Sequence, residues 1–186
     1  MYYDEMRRVF LFLFLAASSH AAGYYLDGGY QRTGMSNDPY FGIGVGVNAS
    51  DSVKVTGEFN FVALASGQVT YSGPPGSISA SGRAGMVDIS GGARMRLSKD
   101  AAYEFYGLGE LGYYRFLASG SVVASGATGT LQASSEPQSG AVISLGAGIL
   151  FGSGKVRLGP EVRYMRYAGD LAANAVRVGL VLNLGK

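Results

Sequence analysis

Hydrophobic and polar residues alternate with a period of two along most of this chain. The clearest stretch is 155–167, KVRLGPEVRYMRY. In an extended strand Val156, Leu158, Pro160, Val162 and Tyr164 share one face, and Arg157, Gly159, Glu161, Arg163 and Met165 share the other. One face is apolar and ends in an aromatic ring; the other carries three charges. Pro160 donates no ladder hydrogen bond, so a local bulge is expected there.

Seven further segments repeat the pattern, making eight predicted strands. The first, 24–33, sets Tyr24, Leu26 and Tyr30 against Asp27 and Gln31. The second, 40–48, alternates Phe41, Ile43, Val45 and Val47 with Gly42, Gly44 and Gly46. The third, 53–63, opposes Val53, Val55, Phe59 and Phe61 to Lys54, Thr56, Glu58 and Asn60. The fourth, 84–97, opposes Val87, Ile89, Ala93, Met95 and Leu97 to Asp88, Ser90, Gly92, Arg94 and Arg96. The fifth, 102–117, opposes Tyr103, Phe105, Leu111 and Tyr113 to Glu104, Tyr106, Glu110 and Gly112. The sixth, 139–151, alternates Ile143, Leu145, Ala147, Ile149 and Phe151 with Ser144, Gly146 and Gly148. The opening stretch is the seventh. The eighth, 174–184, opposes Val176, Val178, Leu180, Leu182 and Leu184 to Arg177, Gly179, Val181 and Asn183.

The predicted connections run medium (34–39), short (49–52), long (64–83), short (98–101), long (118–138), short (152–154) and medium (168–173). Short turns at one end and longer loops at the other are the rule for outer-membrane barrels. Most segments reach the ~9–11 residues of a tilted crossing. The fold class predicted is therefore all-β, an eight-stranded antiparallel up-and-down transmembrane β-barrel, with both termini on the periplasmic side. In the long connections, Val69 and Tyr71 before Gly73-Pro74-Pro75-Gly76, with Ile78 and Ala80 after, predict a projecting hairpin. Val122 and Val123 with Thr130 and Leu131 predict another.

Alternation alone also fits a soluble, lipocalin-like barrel with its apolar face turned inward. Three features favour the membrane form. The polar face is rich in glycine, which suits a narrow interior filled by side chains. Its charges balance: Asp27, Glu58, Asp88, Glu104, Glu110 and Glu161 against Lys54, Arg94, Arg96, Arg157, Arg163 and Arg177. A closed interior requires such pairing because unpaired ions there are costly, whereas a solvated face does not. Finally, Tyr30-x-Arg32, Tyr113-x-Arg115 and Tyr164-x-Arg166 recur at the outer end of the apolar face. Tyrosine at the interface with arginine just beyond it matches an aromatic girdle under anionic head groups.

Composition agrees. The chain has 186 residues and 30 glycines, more than twice the usual ~7%. No apolar run approaches the ~20 residues of a helical span. Net charge is +2, which calls for no nucleic acid. There is no Cys, so disulfides and thiolate metal sites are excluded. Residues 1–22 read as a secretory signal peptide: Arg7 and Arg8, an apolar core at 9–17, and the small-x-small site Ser19-His20-Ala21. Arg7-Arg8-Val9-Phe10-Leu11 also has a twin-arginine look. A barrel that crosses unfolded fits the general secretory route better. Residues 23–186 form the barrel domain.

These strands, connections and paired interior charges resemble the OmpA/OmpX-like family of small eight-stranded outer-membrane barrels, which includes the opacity and NspA types. The resemblance spans residues 23–184. It implies a closed, salt-bridged interior and a role in envelope integrity, adhesion or surface binding through extracellular loops 64–83 and 118–138. It also implies the barrel assembly machinery as a partner in biogenesis, and no cofactor. No OmpA-type peptidoglycan-binding domain is expected. The final Leu182-Asn183-Leu184-Gly185-Lys186 departs from the aromatic last residue usual in the family.

The interior network is expected to comprise Lys54, Glu58, Asp88, Arg94, Arg96, Glu104, Glu110, Arg157, Glu161, Arg163 and Arg177. Lipid-modifying enzymes share this architecture and resemble serine hydrolases in using a histidine. The sole histidine, His20, lies in the leader, so no imidazole base is expected in the mature chain. Glu58, Glu110 and Glu161 remain for carboxylate chemistry, with salt bridges to Arg94, Arg157 and Arg163 the competing assignment. No metal or catalytic site is expected. A narrow pore or a small lipophilic-molecule channel is the alternative function, restricted by Tyr106, Tyr114 and the paired charges. Expected partners are outer-membrane lipid and lipopolysaccharide, with Arg32, Arg115 and Arg166 facing the lipopolysaccharide phosphates, and a surface ligand or host protein at the long loops.

Overall fold

The computed structural model describes residues 22–34, 36–73, 76–98, 102–124, 130–131, 138–152, 154–170 and 172–185. The expected signal peptide lies outside them, save Ala22, which opens the first strand. The strands are β1 (Ala22–Thr33), β2 (Ser36–Asn48), β3 (Val53–Gly73), β4 (Gly76–Arg96), β5 (Tyr103–Ala124), β6 (Thr130–Leu131), β7 (Ser139–Phe151), β8 (Val156–Gly169) and β9 (Ala173–Leu184).

Every strand pair is antiparallel, and eight strands close a ring in the order β1-β2-β3-β4-β5-β7-β8-β9. Closure is made by β1 on β9, from Tyr24 opposite Leu184 to Thr33 opposite Ala175. β6 adds only a two-residue ladder on β5. The predicted eight-stranded up-and-down barrel is thus the fold. A closed ring leaves no sheet edge within the wall, as a lipid environment demands.

Face assignment is decided by exposure. Leu145, Leu180 and Val178 are 61%, 56% and 56% exposed, whereas Arg163 and Arg177 are 1% and 0% exposed. The apolar face points outward and the charged face inward, which rules out the soluble-barrel alternative. In water such an exterior would be unfavourable; against hydrocarbon it is the matched surface.

The interior is stacked in tiers. Nearest the loop end, Tyr40, Val62, Met86, Tyr114, Val142, Met165, Tyr167 and Ala175 form an apolar plug. Nearer the turn end, Tyr25, Tyr106, Leu108, Leu150 and Val181 form a second. Charged side chains occupy the space between and below them.

Three local expectations are corrected. Pro160 causes no bulge: it pairs with Leu180 of β9 in unbroken register. On its other side the ladder to β7 lapses between Gly148–Glu161 and Phe151–Leu158 and resumes in the same register. The missing N–H is absorbed by that gap. The medium connections are tight. Thr33 pairs with Ser36 across residues 34–35, with Gly34 at φ 62°, a left-handed conformation that glycine adopts without steric cost. β8 likewise runs to Gly169 and β9 starts at Ala173. The polar run Ser36-Asn37-Asp38 had the composition of a loop, yet it pairs with Thr33, Arg32 and Gln31 at the rim. The long connection 64–83 is not a loop. β3 and β4 stay paired to Gly73–Gly76, with a register shift between Ala63 and Ser66. The predicted hairpin is present, with Val69 opposite Ala80 and Tyr71 opposite Ile78. β5 follows β4 as far as Ala124 opposite Ile78, so three strands rise together above the barrel wall.

Candidate functional site

The charged core is assembled by strand parity and closed by contacts between strands far apart in sequence. Arg163, on β8, is its hub. Its Nη1 donates to Glu58 Oε1 at 2.8 Å and Glu110 Oε2 at 3.0 Å, and its Nη2 donates to Glu58 Oε2 at 2.8 Å. Its Nε donates to Glu161. Asp27 lies 3.9 Å from Arg163, and neither of its oxygens has a hydrogen-bond partner. Glu110 also accepts from Thr56 and Ser90, each at 3.2 Å. Glu161 is held further by the Tyr106 hydroxyl at 2.6 Å and by Arg94 at 3.3 Å. The Arg94 guanidinium sits over the rings of Tyr106 and Tyr25, at 4.2 and 4.9 Å.

A second cluster lies toward the loop end. Arg177 pairs with Asp88, and its Nε donates to Gln31 Oε1 at 2.7 Å. Gln31 also accepts from the Tyr167 hydroxyl at 3.1 Å. Asn60 joins the two clusters, donating to Glu58 at 2.6 Å and to Asp88 at 2.8 Å. A third cluster sits at the turn end, where Glu104 meets Arg96 at 3.0 Å and Arg157 at 2.5 Å. Lys54 lies in this same tier but forms no ion pair among the described residues; its stem lies against Gly46.

Inward glycines give these side chains their room. A Cβ on Gly42 would meet Asp27 and Asn60, one on Gly44 the Tyr25 ring, and one on Gly148 the Tyr106 ring. The three glycines of β2 are therefore receptacles for large side chains of neighbouring strands, not a phosphate loop.

Tyr25, Tyr40, Met86 and Tyr167 fill the plugs and are not among the residues expected from the sequence. Parity would have found Tyr25 and Tyr167, which share faces with Asp27 and Arg163. Partner choice was not available from parity, since Arg163 and Glu58 are 105 residues apart.

The rim carries the other sequence-predicted group. Tyr30, Tyr113 and Tyr164 are all exposed on the outer face. Arg32, Arg115 and Arg166 follow them on β1, β5 and β8. In ring order Arg166 is two strands from Arg115 and two from Arg32, roughly 10 Å at the usual strand spacing, whereas Arg32 and Arg115 are four strands apart. Arg166 Nη1 donates to Asn174 Oδ1 at 2.7 Å, and Arg32 Nε to the Gly34 carbonyl at 3.4 Å. Arg115 is half-buried.

These features define a closed transmembrane barrel with an apolar belt and an ion-paired core. No protein-family model matches the sequence, and no curated protein is similar enough in sequence to count as a relative. Solved structures do match. Neisserial surface protein A, NspA, superimposes with a TM-score of 0.53 at 10% identity, over 89% of this chain and 96% of that one. The N-terminal β-barrel domain of Pseudomonas aeruginosa OprF gives a TM-score of 0.49 at 10% identity, over 87% and 97%. The attachment invasion locus protein Ail of Yersinia pestis gives 0.47 at 14% identity, over 88% and 96%. The likeness to NspA is one of fold, that of the eight-stranded outer-membrane barrels.

Proposed function

We propose that this protein is an integral outer-membrane barrel that presents a surface rather than conducting solute, serving envelope integrity or surface binding. The observation that carries this is the filled interior: two apolar plugs, with Arg163 between them tied to Glu58, Glu110 and Glu161. The carboxylates that hydrolytic chemistry would need are committed to a guanidinium. In this reading the turns and termini lie in the periplasm and the raised β3–β4–β5 sheet lies outside the cell. The rim supports a lipid partner: Arg32, Arg115 and Arg166 stand above exposed tyrosines, where they would meet lipopolysaccharide phosphates.

Two experiments test the reading. An epitope placed between Gly73 and Gly76 is expected to bind antibody on intact cells; binding only after lysis would reverse the orientation. Replacing Arg32, Arg115 and Arg166 together by Ala is expected to reduce lipopolysaccharide co-purifying with the folded barrel. Unchanged co-purification and heat resistance would remove the specific lipid role.

A further inference from the structure

Charge is unevenly divided along the barrel axis. In the two inner clusters, five carboxylates (Asp27, Glu58, Asp88, Glu110 and Glu161) face three guanidiniums (Arg94, Arg163 and Arg177). At the turn end the ratio inverts: Glu104 alone faces Arg96, Arg157 and Lys54. A pocket of about 20 Å³ opens at this end, lined by Lys54, Arg94, Arg96, Glu104 and the turn residues Ser50 and Asp51 among others.

Two of these groups, Lys54 and Arg96, have unused donor capacity. Lys54 has no ion-pair partner among the described residues. Arg94 also lines the pocket, but it is 5% exposed and its guanidinium is engaged by Glu161 and the rings of Tyr106 and Tyr25. The Arg96 side chain is 43% exposed and bonds Glu104 through Nη2. Cationic donors at the lip of an open pocket favour an anionic acceptor within it. The two carboxylates do not cancel the cations. Glu104 is already bridged by Arg96 and Arg157, and Asp51 is exposed.

We infer that the turn-end mouth binds a small inorganic oxyanion of the phosphate class, held by Lys54 and Arg96. A space of 20 Å³ is about that of one water-sized group, so it admits a single anion oxygen while the rest of the ion sits in the open mouth. Guanidinium and ammonium donors converging on one oxyanion give the short, charge-assisted bonds that neutral solutes cannot form. Because the charges of the three clusters balance, six acids against six bases, local contacts and not a net field supply the binding.

The test is titration of inorganic phosphate into the purified full-length barrel in zwitterionic micelles. Ionic strength is held constant with chloride, and binding is followed by calorimetry and by ³¹P line width. Saturable one-to-one binding is expected. Lys54→Gln should weaken it by about tenfold, the loss of one charge-assisted contact. Lys155→Gln, an exposed turn lysine outside the pocket, should leave it unchanged. If Lys54→Gln fails to fold, Arg96→Gln takes its place, since that side chain is half in solvent. The inference is overturned by a non-saturating signal, by equal competition from chloride, or by phosphate affinity that survives the pocket substitutions.

Discussion

Arg163 shows how much of this protein rests on single side chains. It is fully enclosed and touches carboxylates from three other strands and one from its own. Removing one partner from such a cluster leaves the rest uncompensated, which typically costs about 3–5 kcal/mol. Arg163→Met should therefore lower the urea midpoint of the micelle-folded barrel by a corresponding amount. Adding Glu58→Gln and Glu110→Gln should recover part of it, because neutral amides leave less buried charge unpaired. An unchanged midpoint in the single variant would mean the network contributes little. Gly44→Ala is a test of space rather than charge. Its Cβ would enter the Tyr25 ring in a closed interior, and overpacking of this kind costs about 1–3 kcal/mol. At this scale the sequence was legible in parity and illegible in partnership. The side to which Glu58, Arg163 and Arg177 point follows from alternation with period two. That Gln31 bridges Arg177 and Tyr167, or that Lys54 is left without an ion pair, depends on reach across the lumen.

Among the elements, the outward faces of the strands are the simplest to predict and to test. Leu180 is half exposed on β9, paired with Gly28 and Pro160. An arginine on the lipid face near mid-depth costs about 2–4 kcal/mol, so Leu180→Arg should destabilise the barrel in lipid vesicles by about that amount. The same change in a solvent-facing strand would be nearly neutral. Strand limits were less legible than strand faces. Residues 64–83 are rich in Gly, Ser and Ala, a composition that reads as a loop, and only Val69, Tyr71, Ile78 and Ala80 disclosed the pairing seen there. The raised hairpin makes its ladders above the closed wall. Excising residues 66–83 and joining the stubs by a short turn is thus expected to leave the barrel folded, with its heat-dependent gel shift intact. Loss of folding in that variant would show that the projection helps to hold the ring closed.

For the whole molecule, closure of the ring and filling of the lumen decide the functional class. The plug at the loop end and the second toward the turn end block the axis in series, with ion pairs between them. Barrels of about eight strands have interiors just wide enough for side chains. Planar-bilayer recordings should accordingly show no steady conductance. A stable, selective current would favour the narrow-pore reading. The most direct measurement for the central claim is fractionation of expressing cells, followed by gel electrophoresis of boiled and unboiled samples. A protein that has its apolar face outward and its charges enclosed should be found in the outer membrane and should change mobility on boiling. A water-soluble protein with one mobility would contradict the face assignment and with it the barrel's place in the membrane.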